Sequence, residues 1–165
     1  MEAITRHSIS VATDQAVRLW ALSSAEYPKH HEPLINSLVA NTLDITSIFA
    51  LNCRRALEIL PPKEKFPLDT PRWIWTPSTT EARVTDLWDA TNRIIHAQRL
   101  LIGLEKTPDH LSVIDGESVF MPYIQAETDR RELAFIDPFA LAHAFLYGAL
   151  PRLLKTAENN RPAKN

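Results

Sequence analysis

Residues 78–104 read STTEARVTDLWDATNRIIHAQRLLIGL, and how this stretch is read decides the fold the rest of the chain completes. Ser78 precedes Glu81 by three positions, the spacing of a capping box, with Pro77 just outside it. Val84, Leu87, Trp88, Thr91, Ile95 and Ile102 then recur at helical intervals, which predicts one helix over 79–104. At about 100° per residue, Val84, Trp88, Ile95 and Ile102 fall within roughly 40° of one another. Thr85, Asp89, Asn92, His96 and Arg99 form a polar stripe beside them, about 80–100° wide.

Upstream, Ala16, Val17, Leu19, Trp20 and Leu22 predict a helix over 11–25. Leu34, Leu38, Ile45, Ile48, Phe49, Ala56 and Leu60 predict a longer one over 33–60, stopped by Pro61-Pro62. A proline-rich connection, PPKEKFPLDTPRWIWTP, follows, expected to lie extended with Trp73, Ile74 and Trp75 pressed on the body. Beyond Pro108 the period changes. LSVID, Asp115-Gly116, ESVFMPYIQAE and RRELAFID predict a small antiparallel meander over 111–136, turning at Asp-Gly, with Pro122 at an edge or a bulge. Asp137-Pro138 then reads as an N-cap followed by proline at the first helical position. It opens a last helix that carries Phe139, Ala142, His143, Leu146, Leu150 and Leu153 and kinks before Pro151. The expected fold class is therefore mainly α: an up-and-down helical bundle with a small antiparallel β-meander before the last helix. It forms a single domain over 1–165, with a frayed polar tail over 156–165.

Composition narrows the function classes. The 165 residues carry 18 Lys and Arg against 20 Asp and Glu, a net charge of −2, and 45% of them are apolar, so a broad basic surface and global disorder are both disfavoured. The three glycines, Gly103, Gly116 and Gly148, are too far apart for a phosphate-cradling loop. Cys53 stands alone and can make neither an internal disulfide nor a cysteine-based zinc site. No apolar run approaches a bilayer-spanning length and MEAITRHSIS has no signal-peptide core, so the expected location is the cytoplasm.

The polar stripe carries the chemistry. Asn92 and His96 stand four apart, so that the amide can orient the imidazole, and Asp89 precedes Asn92 by three and Arg93 by four. Imidazole titrates near neutral pH and serves both halves of an acid–base cycle, while Arg93 and Arg99 can neutralise a phosphate. These are the components of metal-independent phosphodiester cleavage; the bland alternative is a solvated helix face. Elsewhere the ordinary readings prevail. His30-His31-Glu32 lies in a turn between Pro28 and Pro33, His143 sits on an apolar stripe, and Cys53 reads as an inert core thiol. Arg54 and Arg55 read as a solvated helix end or a further phosphate contact, and the four tryptophans as core or subunit-interface anchors. A metal-binding bundle would need a Glu-x-x-His pair, and none is present.

The segment Asp89-Ala-Thr-Asn-Arg-Ile-Ile-His-Ala97 resembles the signature region of HEPN-type helical domains: an arginine, a polar residue, three further residues and a histidine. Asn92 matches the polar position and His96 the histidine, while the arginine position falls on Thr91. The resemblance implies a homodimer through the helix 79–104 and a composite ribonuclease site that needs neither metal nor cofactor. It places the chain among RNA-acting toxin–antitoxin or phage-defence proteins, with a cognate antitoxin or toxin as partner. His96 would then be the general acid and base, Asn92 and Asp89 would orient it, and Arg93 or Arg99 would meet the phosphate. Thr91 favours the alternative, a non-catalytic binding, antitoxin or oligomerisation module on the same fold.

Overall fold

The computed structural model describes residues 3–62, 64–75 and 82–159. Two long helices, α1 (Ala3–Ser24) and α2 (Glu32–Leu57), form an antiparallel pair joined through the short strand β1 (Glu26–Pro28). Their facing residues come from the periodicity of the sequence. Ile9, Ala12, Ala16 and Leu19 of α1 and Phe49, Ala50, Cys53, Ala56 and Leu57 of α2 are buried in one cluster, the small alanines letting the two backbones approach. His31 caps α2, its Nδ1 accepting the Leu34 N–H at 3.2 Å, with Pro33 in the first turn.

The helix expected over 79–104 is not formed. Its described part holds a nine-residue helix, α3 (Leu87–Ile95), followed by strand β2 (Arg99–Lys106); the Ser78–Glu81 capping box lies outside the described residues. Residues 83–86 are drawn into extended pairings: the Val84 N–H donates to the Phe135 carbonyl, the Leu68 N–H to that of Thr85, and the Leu87 N–H to that of Phe66, each at 2.9 Å. Asp86 is the real N-cap, with its carboxylate accepting the N–H groups of Trp88 (3.1 Å), Asp89 (3.4 Å) and Phe66 (3.0 Å). At the other end, the Gln98 N–H turns away from the helix to the Glu127 carbonyl at 2.8 Å. Leu100 and Ile102, which extended a helical face on paper, instead alternate along β2 against Ala126 and Ile124. Short apolar runs satisfy both periods, and tertiary pairing selects the strand.

The up-and-down bundle with a minor meander is therefore replaced by a mixed α/β fold built on a four-stranded antiparallel sheet. Its axis is β3 (Ser118–Glu127), paired along one edge with β2 and along the other with β1 at Ser118–Phe120 and with β4 (Ala134–Ile136) at Ile124–Ala126. Residues 111–114, expected in a strand, lie in the loop between β2 and β3 instead, which Glu26 anchors by accepting the N–H groups of Val113 and Ile114. Gly116 takes the left-handed backbone there (φ 87°), within a connection far longer than a tight hairpin. Pro122 falls in the gap between β1 and β4, opposite the register slip between Gly103 and Glu105, so a central strand tolerates it at a bulge. Helices pack on one face of the sheet. The connection after α2 covers the other, where Trp73 packs on Phe120 (4.7 Å between ring centroids) and Trp75 on Tyr123 (5.0 Å), while Ile74 is exposed. Gly103 is required here, since a Cβ would lie 2.0 Å from the Tyr123 ring that crosses it.

Asp137 opens the final helical run as the sequence predicts, accepting the Ala140 N–H at 2.9 Å with Pro138 next. The run comprises α4 (Pro138–His143), a π-helical turn (Ala144–Ala149) and α5 (Leu150–Asn159), so the irregularity ahead of Pro151 is a π turn. That turn seats Phe145 edge-on against Phe49, 5.5 Å between centroids. Residues 156–159 of the expected tail are helical. Among the described residues, α2 is long and apolar enough to cross a membrane by length and composition alone, with mean hydropathy 1.4, where the sequence reading finds no apolar run of that length. Its buried face packs on α1 and α3 as a core helix does.

Candidate functional site

The α3–β2 turn and the β3–β4 turn are brought side by side by the pairing of Arg99 with Glu127 at the end of the β2–β3 ladder. Between them opens a cleft of about 610 Å³, lined by Asn92, Arg93, His96 and Gln98 on one wall and Thr128, Asp129, Arg130 and Arg131 on the other. Three guanidinium groups thus meet one carboxylate and one imidazole in a chain whose overall charge is −2.

Asp89 organises the cationic part. One of its oxygens accepts the Arg93 Nε at 3.0 Å and the other the Arg131 Nη1 at 2.6 Å, so a single carboxylate ties the two walls together. Arg93 also donates to the Glu132 carbonyl at 3.3 Å, and the Arg131 N–H is held by the Thr128 hydroxyl at 3.0 Å. A guanidinium has five N–H donors, so both arginines keep donors available for an anion after these contacts are made. Arg130, exposed on the same wall, forms no ion pair with a described residue.

His96 is the C-cap of α3, exposed, with its backbone N–H donating to the Asn92 carbonyl at 3.1 Å. The Asn92 side chain does not orient the imidazole as the spacing suggested. Its oxygen accepts the Arg54 Nε at 3.0 Å, and the Arg54 guanidinium sits over Trp88, its Cζ 3.6 Å from the ring centroid, while also pairing with Glu58. Thr91, at the signature's arginine position, is fully buried and bonds back to the Trp88 carbonyl, so that position faces the core rather than the cleft. Arg99 starts β2 outside the cleft lining, and Asp89 acts through the arginines rather than through His96. Arg130, Arg131, Gln98 and Thr128 escaped the sequence reading; two adjacent arginines stand in the sequence, but nothing local to them says that they face α3.

The remaining candidates have structural roles. His30 pairs with Glu117 (3.3 Å), His31 caps α2, and His143 stacks on Tyr147 (4.7 Å between centroids) in an aromatic cluster with Trp20. No cluster of three His, Cys, Asp or Glu suited to a metal ion occurs among the described residues. Cys53 is fully buried, and burial pushes its thiol well above the ordinary value, with the neighbouring Arg54 charge offsetting only part. Iodoacetamide at mildly alkaline pH should therefore leave the native chain unmodified and label Cys53 only after denaturation. Mass spectrometry reads the adduct, and labelling of the folded chain would contradict the buried placement.

No protein-family model matches the chain, nor does any curated protein or solved structure.

Proposed function

We propose that the chain acts on RNA by holding phosphates of its backbone in the cleft between α3 and the β3–β4 turn. The observation that supports this reading most is the convergence of Arg93, Arg130 and Arg131 with His96 on one open cleft, two of the arginines being pre-oriented by Asp89. Pre-orientation lowers the side-chain entropy lost when a guanidinium binds an anion, and charge-assisted bonds to phosphate are stronger than neutral ones. The resemblance around Asn92 and His96 supplies RNA as the substrate class and a toxin–antitoxin or phage-defence setting with a cognate partner; the cytoplasm is the location this reading takes.

A second reading, metal-independent cleavage, is favoured by the exposed imidazole of His96 on the cleft wall. His96 would take the proton of a ribose 2′-hydroxyl as that oxygen attacks phosphorus. The arginines would carry the charge on the phosphoryl oxygens while the P–O5′ bond breaks, the departing 5′-oxygen taking a proton from water and a 2′,3′-cyclic phosphate remaining. Its weakness is physical: Asn92 is engaged by Arg54, and no described side chain hydrogen-bonds the imidazole. The two readings separate in one experiment on a fluorescent single-stranded RNA in chelator, with wild type and His96→Ala compared for binding by anisotropy and for cleavage on gels. Retained binding with no cleavage in either protein supports the binding module. Cleavage by wild type that falls on the order of a hundredfold in the variant supports the nuclease. Absence of RNA binding by the folded wild type overturns both.

A further inference from the structure

We infer that the outer edge of β2 is the docking surface for a second copy of this chain, whose β2 pairs with it antiparallel about a twofold axis at Ile102. Among the described residues no strand covers this edge, because β3 occupies only the other side of β2. The edge lacks most of the devices that normally keep such strands apart: Arg99–Lys106 contains no proline, between Arg99 and Glu105 it runs Leu-Leu-Ile-Gly-Leu without a charge, and the extra residue of the bulge near Gly103 falls on β3, which leaves β2 regular. Leu101 is 41% exposed, and Leu100 and Ile102 are only partly buried on the helical face of the sheet.

The strand's own sequence selects the partner and the register. A twofold axis normal to the sheet places residues of the same face opposite one another. Centred on Ile102, it sets Leu100 across from Leu104 of the second copy on the helical face, and Arg99 across from its Glu105 on the other face, each pair occurring twice. Centring on Leu101 puts Arg99 opposite glycine, and centring on Gly103 puts Leu100 opposite a lysine. Only the Ile102 register joins the opposite charges while keeping apolar residues together. Neither Arg99 nor Glu105 has an ion-pair partner among the described residues, so both are available for this contact. The pairing would extend the sheet across two chains, in place of a dimer built on the 79–104 helix that does not form. It is independent of the RNA reading, since Arg99 lies outside the cleft lining.

Sedimentation velocity of the full chain over a concentration series tests the pairing, with circular dichroism as the check on folding. Wild type should dimerise. Arg99→Glu places two glutamates opposite two glutamates and should raise the dimer dissociation constant roughly tenfold or more. Combining it with Glu105→Arg restores opposite charges and should bring the constant back to within about threefold of wild type. A monomeric wild type, a dimer indifferent to Arg99→Glu, or a charge-swapped chain that stays monomeric would each overturn the inference.

Discussion

Replacing Arg130 and Arg131 together by glutamate should weaken binding of a single-stranded RNA on the order of a hundredfold at low salt. Both residues line the cleft wall opposite His96, and reversing them leaves Arg93 as the one arginine there, beside three carboxylates once Asp129 is counted. The fold should survive. Arg130 forms no ion pair with a described residue, and the Arg131–Asp89 pair is half exposed, a type of contact worth roughly 0–1 kcal/mol. Fluorescence anisotropy across a salt series provides the stricter check. Three arginine–phosphate contacts on a single strand give a slope of log affinity against log salt near −2, which should shrink to about −0.7 or less in magnitude in the double variant, where Arg93 alone remains. A variant that keeps both wild-type affinity and slope would remove the cleft from the account of function.

The second large effect concerns stability. Asp137 is buried, caps α4 through the Ala140 N–H (2.9 Å) and accepts the indole N–H of Trp75 (3.0 Å), so it fastens the tryptophan-bearing connection onto the sheet. Asp137→Ala removes an N-cap and leaves a buried indole donor unpaired, a combined cost of ~2–4 kcal/mol in urea unfolding. D137N keeps a carbonyl oxygen for one of the two donors and turns its amide NH2 toward the other, so it should recover only part of that stability. The two variants also part company with pH. Burial raises the Asp137 carboxyl above its ordinary value, with the Ala140 and Trp75 bonds and the Arg83 charge offsetting only part. The folded chain therefore binds this proton more tightly than the unfolded chain. The contribution of that proton to stability is fully present below the ordinary carboxylate range and is lost as pH rises through the raised folded value. D137N lacks the term, so its stability relative to wild type should rise over that same interval. A D137N curve that parallels wild type throughout would contradict the raised value.

What could be read in advance, and what could not, divides along the range of the interactions involved. The Asp137-Pro138 start needed only its own hydrogen bond three residues on, and it stands in the structure as the sequence predicts. The existence of α1 and α2 follows from periodicity sustained over several turns, although α1 begins eight residues before its expected start and Val17 and Ile48, expected on the apolar faces, are exposed. Residues 98–104 carry no such redundancy. Leu100, Ile102 and Leu104 suit a strand as well as Ile95 and Ile102 suit a helix, and the choice rests with β3, which is distant in sequence. The N-cap at Asp86 was likewise missed because its partners include the Phe66 N–H from the preceding connection.

The same division runs through the site. Asn92, Arg93 and His96 share one wall as their spacing implied, since a helix and its cap hold residues one turn apart together whatever surrounds them. Arg130 and Arg131, the partnership of Asp89 with both walls, and the diversion of Asn92 to Arg54 all depend on which turns the sheet brings side by side. Local hydrogen bonding and helical period, written into neighbouring residues, were determined by the sequence by itself. The sheet, the cleft and the open edge of β2 were decided only by the tertiary structure, because backbone pairing between remote strands chose among local conformations of nearly equal free energy.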